Sequence, residues 1–208
     1  MPKLPLMAIL RGLTPAEAPS IGHALVGAGF ALLEVPLNSP DPLVSINLLA
    51  HQHPGAPVVV GTVLTPAQVR EVHAVGGELI VSPNFNADVV HEALRLGLVC
   101  LPVIMTPTEA FAALAAGAHG LKLFPAKLAS PSVVKAMLAV LPVGTLLLPV
   151  SGISRDNMGA WRAAGAQGFG IGSSLYTPGK SAASVQHHAS VLVAHYQGLT
   201  RAGKLNVH

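Results

Sequence analysis

The feature that most constrains this chain is a repeat punctuated by glycine. Helix-like segments run out near Gly29, Gly55, Gly77, Gly97, Gly117, Gly144 and Gly165, and an apolar, β-rich run follows each. The steps between these glycines are 26, 22, 20, 20, 27 and 21 residues. Glycine just past a helix readily takes the left-handed conformation that ends it, so each marks a return from helix to strand. Three of these stops are near copies: Val26-Gly27-Ala28-Gly29-Phe30, Ala115-Ala116-Gly117-Ala118-His119 and Ala163-Ala164-Gly165-Ala166-Gln167.

The strand candidates are Leu6–Leu10, Leu32–Leu37, Val58–Thr62, Leu79–Ser82, Val99–Val103, Gly120–Phe124, Leu146–Ser151 and Gly168–Gly172. Helical patterns lie between them. Several open with a hydroxyl residue and proline at a plausible N-cap: Thr14-Pro15, Ser39-Pro40, Thr65-Pro66, Thr106-Pro107 and Ser130-Pro131. Eight strands, seven intervening helices and a last helix over about 181–199 predict an α/β chain with an eightfold (β/α) alternation. A closed (β/α)8 TIM barrel, one domain over residues 1–208, is the natural answer. An open doubly wound sheet offers no reason for so even a repeat. The length agrees, since single barrels begin near 200 residues.

If the barrel is right, functional groups belong at the C-terminal strand ends. Arg11, Glu34, Asn38, Thr62, Asn84, Lys122, Ser151 and Ser173 all fall there. Lys122 stands out, being the one amine in the apolar run Gly120-Leu121-Lys122-Leu123-Phe124-Pro125-Ala126. Parallel strands are covered on both faces, so a charge inside one costs several kcal/mol unless it is paired or gives up its proton. A partly neutral amine is what Schiff-base chemistry with a carbonyl requires. The plainer reading is a strand-end lysine, ion-paired or reaching water. Glu34 is a carboxylate within Leu32-Leu33-Glu34-Val35-Pro36-Leu37, placed to move protons or simply to pair with Arg11 or Lys122. Arg11 follows strand one and is suited to fork onto a carboxylate. Val150-Ser151-Gly152-Ile153 and Gly170-Ile171-Gly172-Ser173-Ser174 end strands seven and eight, where exposed N–H groups and a helix start commonly hold phosphate.

Composition narrows the classes. Hydrophobic residues make up 51% and charged residues only 10%, enough for a large core and a surface partly covered by copies of itself in a homo-oligomer. The net charge of +3 is spread without Lys/Arg clusters, which argues against nucleic acid as a partner and for a small anion. The single cysteine, Cys100, fits a reducing compartment. Met1–Leu13 lacks a signal-peptide core, and the longest uncharged run, Ala136–Ile153, is broken by Pro142, Gly144, Pro149 and Gly152. A cytoplasmic protein with no membrane span is expected. The pairs His51/His53 and His187/His188 have no carboxylate or cysteine at ligand spacing and read as solvated helix residues, not metal ligands.

Four motifs then carry a family resemblance. Ala8-Ile9-Leu10-Arg11-Gly12, Leu33-Glu34-Val35-Pro36-Leu37-Asn38-Ser39, Gly61-Thr62-Val63-Leu64 and Leu121-Lys122-Leu123-Phe124-Pro125 resemble, in order, the 2-keto-3-deoxy-6-phosphogluconate/-galactonate aldolases. Asn38 stands where the gluconate enzymes carry an arginine, and Arg11 ends strand one instead, which is similar to the galactonate branch. The resemblance implies a class I pyruvate aldolase on a (β/α)8 barrel, a homotrimer, without metal or other cofactor. It implies that Lys122 forms the Schiff base and Glu34 is the general acid/base. Arg11 and Thr62 would then orient the pyruvyl end, and Ser151, Gly152, Gly172 and Ser173 would hold the phosphate of a keto-acid sugar phosphate. Three departures put side chains where the family has smaller residues, at Val59-Val60, Val103 and Ser151, and are expected to narrow the pocket or shift its substrate. The alternatives are an aldolase for an unphosphorylated keto acid of the 4-hydroxy-2-oxoglutarate type, and a non-catalytic barrel that binds sugar phosphates.

Overall fold

The computed structural model describes residues 5–205, so Met1–Leu4 of the N-terminal stretch and the last three residues lie outside the description. Among the described residues, nine strands, all parallel, alternate with eight α-helices, except that the fifth and sixth strands follow one another directly. The strands are β1 (Leu6–Ile9), β2 (Leu32–Pro36), β3 (Val58–Gly61), β4 (Leu79–Val81), β5 (Val99–Cys100), β6 (Val103–Ile104), β7 (Leu121–Leu123), β8 (Leu147–Pro149) and β9 (Phe169–Ile171). The helices are α1 (Ala18–Gly27), α2 (Pro42–Gln52), α3 (Pro66–Ala74), α4 (Ala87–Arg95), α5 (Pro107–Ala115), α6 (Pro131–Val140), α7 (Arg155–Ala163) and α8 (Ala182–Leu205). A six-stranded sheet runs β5-β4-β3-β2-β1-β9, and a three-stranded sheet runs β6-β7-β8.

The fifth predicted strand, Val99–Val103, is therefore two short ones. Pro102 interrupts it, because proline has no N–H to give to a ladder. On one side Val99 and Cys100 pair with β4; on the other Val103 and Ile104 pair with β7. The final helix runs further than expected, to Leu205.

Alternation along the strands creates two apolar layers. Leu6, Ala8, Leu33, Val35, Val58 and Val60 point toward the helices. Met7, Ile9, Leu32, Val59, Leu79, Val81, Leu101, Val103, Leu148 and Val150 form a second, inner cluster. Period-two side-chain placement explains both layers. Val59 and Val60 are fully buried, one in each layer.

The glycine repeat is structural. Gly29, Gly97, Gly117 and Gly165 have φ of +99°, +73°, +92° and +106°, the left-handed stop expected after a helix. Gly55 is different, since α2 ends at Gln52, and in the next repeat the left-handed position falls on Gly76, not Gly77. Two predicted caps also move. Thr65 and Thr106 do cap α3 and α5, Thr106 within a capping box with Glu109. Thr14-Pro15 forms a turn before α1, whose first residue is Ala18, and α2 starts at Pro42 after Asp41. The Ser39 hydroxyl is engaged elsewhere, accepting from the Gly12 N–H at 3.0 Å.

Candidate active site

Lys122 lies in the middle of β7 between Leu121 and Leu123, in register with Val103 on one side and Leu148 on the other. Glu34 lies on β2, in register with Ile9 and Val59. All four neighbours belong to the inner cluster, so both charged side chains project inward. They meet there, with the Lys122 Nζ 3.3 Å from Glu34 Oε1 and 3.2 Å from Oε2. Glu34 is 3% exposed and Lys122 7%. The burial cost anticipated for a lone amine is thus met by an opposing carboxylate. Gly61, which pairs with Pro36, makes this possible, because a Cβ at that position would overlap Glu34 Oε1.

The pair borders a cavity of about 40 Å³ that Arg11, Thr62, Val103 and Phe124 also line. That is room for a water beside the ion pair. Thr62, just past the end of β3, has φ +61°, an uncommon conformation for a β-branched residue, and lines this cavity. Arg11 and Phe124 also line a second cavity, of about 480 Å³, so the two spaces adjoin.

The larger cavity is built from the loops after β8 and β9. Ser151, Gly152 and Ser154 come from the first, Gly172, Ser173, Ser174 and Tyr176 from the second. At the start of α7 the Ser154 N–H donates to Asn157 Oδ1 at 2.9 Å, and the Asn157 side chain also donates to the Gly152 carbonyl at 2.7 Å. After β9 the chain turns tightly, with the Leu175 and Tyr176 N–H groups both donating to the Gly172 carbonyl. The N–H groups of Gly152, Ser173 and Ser174 donate to no acceptor among the described residues. Free N–H groups beside a helix start suit an anion, phosphate above all.

The structure thus gathers Lys122, Glu34, Arg11, Thr62, Ser151, Gly152, Gly172 and Ser173 around two joined cavities. Asn38 and Asn84 are exposed and line neither. Of the departures, Val103 and Ser151 do face the cavities, whereas Val59 and Val60 are packed in the two cores and narrow nothing. Sequence reasoning missed Phe124, Ser154 and Tyr176 as cavity walls; Tyr176 lies beyond the last strand, where no motif drew attention to it. His53 is a correction: it is half-buried, and burial, then the nearby His23, pull its pKa below the usual value. His187 and His188 are exposed as expected. Burial pushes the Cys100 thiol up to about 12, leaving it protonated and unreactive at neutral pH. Among the described residues, no helix is long and apolar enough to cross a membrane.

A lysine and a carboxylate buried together beside a cradle of free N–H groups at parallel strand ends define the class of a lysine-dependent carbonyl enzyme. Comparison with known proteins agrees. The family model for KDPG and KHG aldolase matches residues 1–188. A probable 2-dehydro-3-deoxy-6-phosphogalactonate aldolase of Rhizobium meliloti (strain 1021) is 47% identical over 94% of this chain and 92% of its own. The 2-dehydro-3-deoxy-6-phosphogalactonate aldolase of Escherichia coli (strain K12) is 41% identical over 94% and 96%. A solved structure described as native KDPGal superposes with a TM-score of 0.95 at 40% identity, covering 97% of this chain and 98% of that one. The chain belongs to the KDPG and KHG aldolase family, and it is an aldolase.

Proposed function

We propose that the chain cleaves 2-dehydro-3-deoxy-6-phosphogalactonate to pyruvate and glyceraldehyde 3-phosphate through a Schiff base on Lys122. The observation that carries this reading is the buried Lys122 Nζ lying within 3.3 Å of both Glu34 oxygens, next to the cradle of free N–H groups. Glu34 takes a proton from the ammonium, and the neutral amine attacks the C2 carbonyl. Glu34 then returns the proton, through a water, so that the carbinolamine loses its hydroxyl as water. The protonated imine draws in the electron pair of the C3–C4 bond as Glu34 removes the C4 hydroxyl proton, and the aldehyde leaves. Protonation of the enamine at C3 and hydrolysis of the imine release pyruvate and the free lysine. Arg11 and Thr62 hold the keto-acid carboxylate; Ser151, Gly152, Gly172 and Ser173 hold the phosphate.

The two sheets are read as one closed (β/α)8 barrel forming a single domain. Support comes from bonds across both gaps: the His119 and Lys122 N–H groups reach the Cys100 and Pro102 carbonyls at 3.0 Å, and Val150 bridges Gly170. The inner cluster also draws on both sheets. A cytoplasmic homotrimer is proposed from the low charge and from the exposed Met105, Phe111 and Leu128, which are 36%, 46% and 72% accessible.

Incubation with pyruvate and borohydride tests the chemistry. A stable adduct on Lys122 is expected, absent from Lys122→Ala, which should also lose at least about 10⁴-fold in kcat. Wild-type protein left unmodified by this treatment would overturn the reading. A phosphate cradle further predicts a large kcat/KM preference for the phosphorylated over the unphosphorylated keto acid; no preference would point to the 4-hydroxy-2-oxoglutarate type.

A further inference from the structure

One carboxylate near the site has no part in the chemistry above. Glu17 sits in the turn before α1, at the position where a side chain would cap that helix, yet it caps nothing there. Instead one of its oxygens folds back within its own turn and the other reaches a distant loop. Its Oε2 accepts from the Thr14 N–H at 3.2 Å and the Thr14 hydroxyl at 2.7 Å. Its Oε1 accepts from the Gly179 N–H at 3.0 Å, a contact between residues 162 apart in the chain.

Gly179 closes the segment Tyr176-Thr177-Pro178, all three of which wall the phosphate cradle. Thr14 closes the loop after β1 that begins with Arg11. The two loops are pressed together at a second point, where the Pro178 ring fills the place of a side chain at Gly12: a Cβ there would lie 2.7 Å from Pro178 Cγ. Gly12 is also held from the far side, by its bond to the buried Ser39 of the loop after β2. Arg11 is thus the residue just before a glycine pinned from two directions.

Tyr176 adds an independent sign that this contact is built for more than packing. Its ring is 2% exposed, and its hydroxyl has no hydrogen-bond partner among the described residues. It faces Glu17; burial and then the Glu17 charge push its pKa up. The Glu17 carboxyl is held below the usual carboxylate range, first by the Thr14 hydroxyl and also by the Gly179 N–H, so it is charged at neutral pH.

We propose that Glu17 is a positioning residue that clasps the loop after β9 onto the loop after β1, fixing Ser173 and Arg11 at the separation the two ends of the substrate require. The inference rests on Arg11 and Ser173 being the carboxylate and phosphate contacts of the proposed function. Glu17 touches no reacting atom, so its removal should act on binding and leave the chemical step alone.

The test uses Glu17→Ala and Glu17→Gln in the full chain, with kcat, KM for the phosphorylated substrate and melting temperature measured together. Glu17→Ala should raise KM by about tenfold, equivalent to ~1.4 kcal/mol, with kcat within about twofold of wild type. Glu17→Gln keeps one oxygen acceptor and should recover part of that loss, to roughly a threefold rise in KM. A lowered melting temperature with KM unchanged in both variants would reduce Glu17 to a structural contact, and a fall in kcat at constant KM would also overturn the proposal. If Glu17→Ala does not fold, Glu17→Gln decides alone. Wild-type protein that traps no pyruvate at Lys122 points to failure of the aldolase reading, whereas normal trapping with wild-type KM in both variants sinks the clasp only.

Discussion

Leu32 and Glu34 sit two residues apart on β2, face the same way and are equally buried, at 6% and 3% exposure. They nevertheless belong to opposite ends of the molecule. Leu32 lines an apolar hollow of about 510 Å³ at the N-terminal ends of the strands, along with Leu79, Leu101, Leu146 and Leu148. Glu34 lines the small cavity with Lys122, Arg11 and Thr62 at the C-terminal ends. One end is held by transfer of apolar surface from water, the other carries a paired charge whose burial contributes little to stability. Backbone strain follows the same division. Among the described residues, the three non-glycine positions with positive φ are Asp41, Thr62 and Ser151, all in loops leaving C-terminal strand ends. The same strands thus supply stability at one end and chemistry at the other.

The sharpest way to break that contrast is Glu34→Gln. The amide keeps the size and can still accept from Lys122 Nζ, so the fold should hold while proton transfer is lost. We expect kcat to fall about 10³-fold, ~4 kcal/mol, with a melting temperature close to wild type. Steady-state kinetics with thermal melts checks both halves. Unfolding with little loss of kcat would mean that the pair is structural and the division into ends is wrong.

Leu32→Ala is the mirror experiment, two residues down the same strand. Truncation should cost about 2–3 kcal/mol, at the low end for a buried leucine because the hollow beside it already leaves one side unpacked. For a chain of this size that is a drop of roughly 4–12 °C in melting temperature. Below the transition, kcat and KM should match wild type. A matching loss in kcat would show the two ends to be coupled through the inner core.

How much of this was readable in the sequence divides along similar lines. The alternation was legible because glycine at Gly29, Gly97, Gly117 and Gly165 and period-two apolar runs are local signals. The broken fifth strand was not, since Pro102 could be seen but not the switch of partner from β4 to β7 that goes with it. Lys122 and Glu34 were legible because a charge in an apolar parallel strand is a local contradiction. That Glu34 pairs with Lys122, at 3.3 Å and 3.2 Å across 88 residues, and not with Arg11 needed the fold to decide. Ser39 misled as a cap because the local pattern competes with a distant partner, Gly12, that claims its hydroxyl. Asn38 and Asn84 misled because a strand-end position does not fix which way a loop side chain points.

Ser151 gives the smallest and most informative test of the contrast, because strain and function meet on one residue. Its φ of +82° costs a side chain roughly 1–2 kcal/mol, a penalty that glycine escapes. Glycine in turn adds about 0.5–1 kcal/mol of chain entropy to the unfolded state. The balance for Ser151→Gly is a gain of about 0.5 kcal/mol, a rise of roughly 1–2 °C in melting temperature. If the hydroxyl contacts the phosphate, the same change should raise KM for the phosphorylated substrate about threefold while leaving the unphosphorylated keto acid unaffected. A serine kept at a position made for glycine is then explained by what it binds, at the end of the strands where strain is tolerated. A higher melting temperature with no change in either KM would remove Ser151 from the cradle, and a lower one would show that its backbone is not strained.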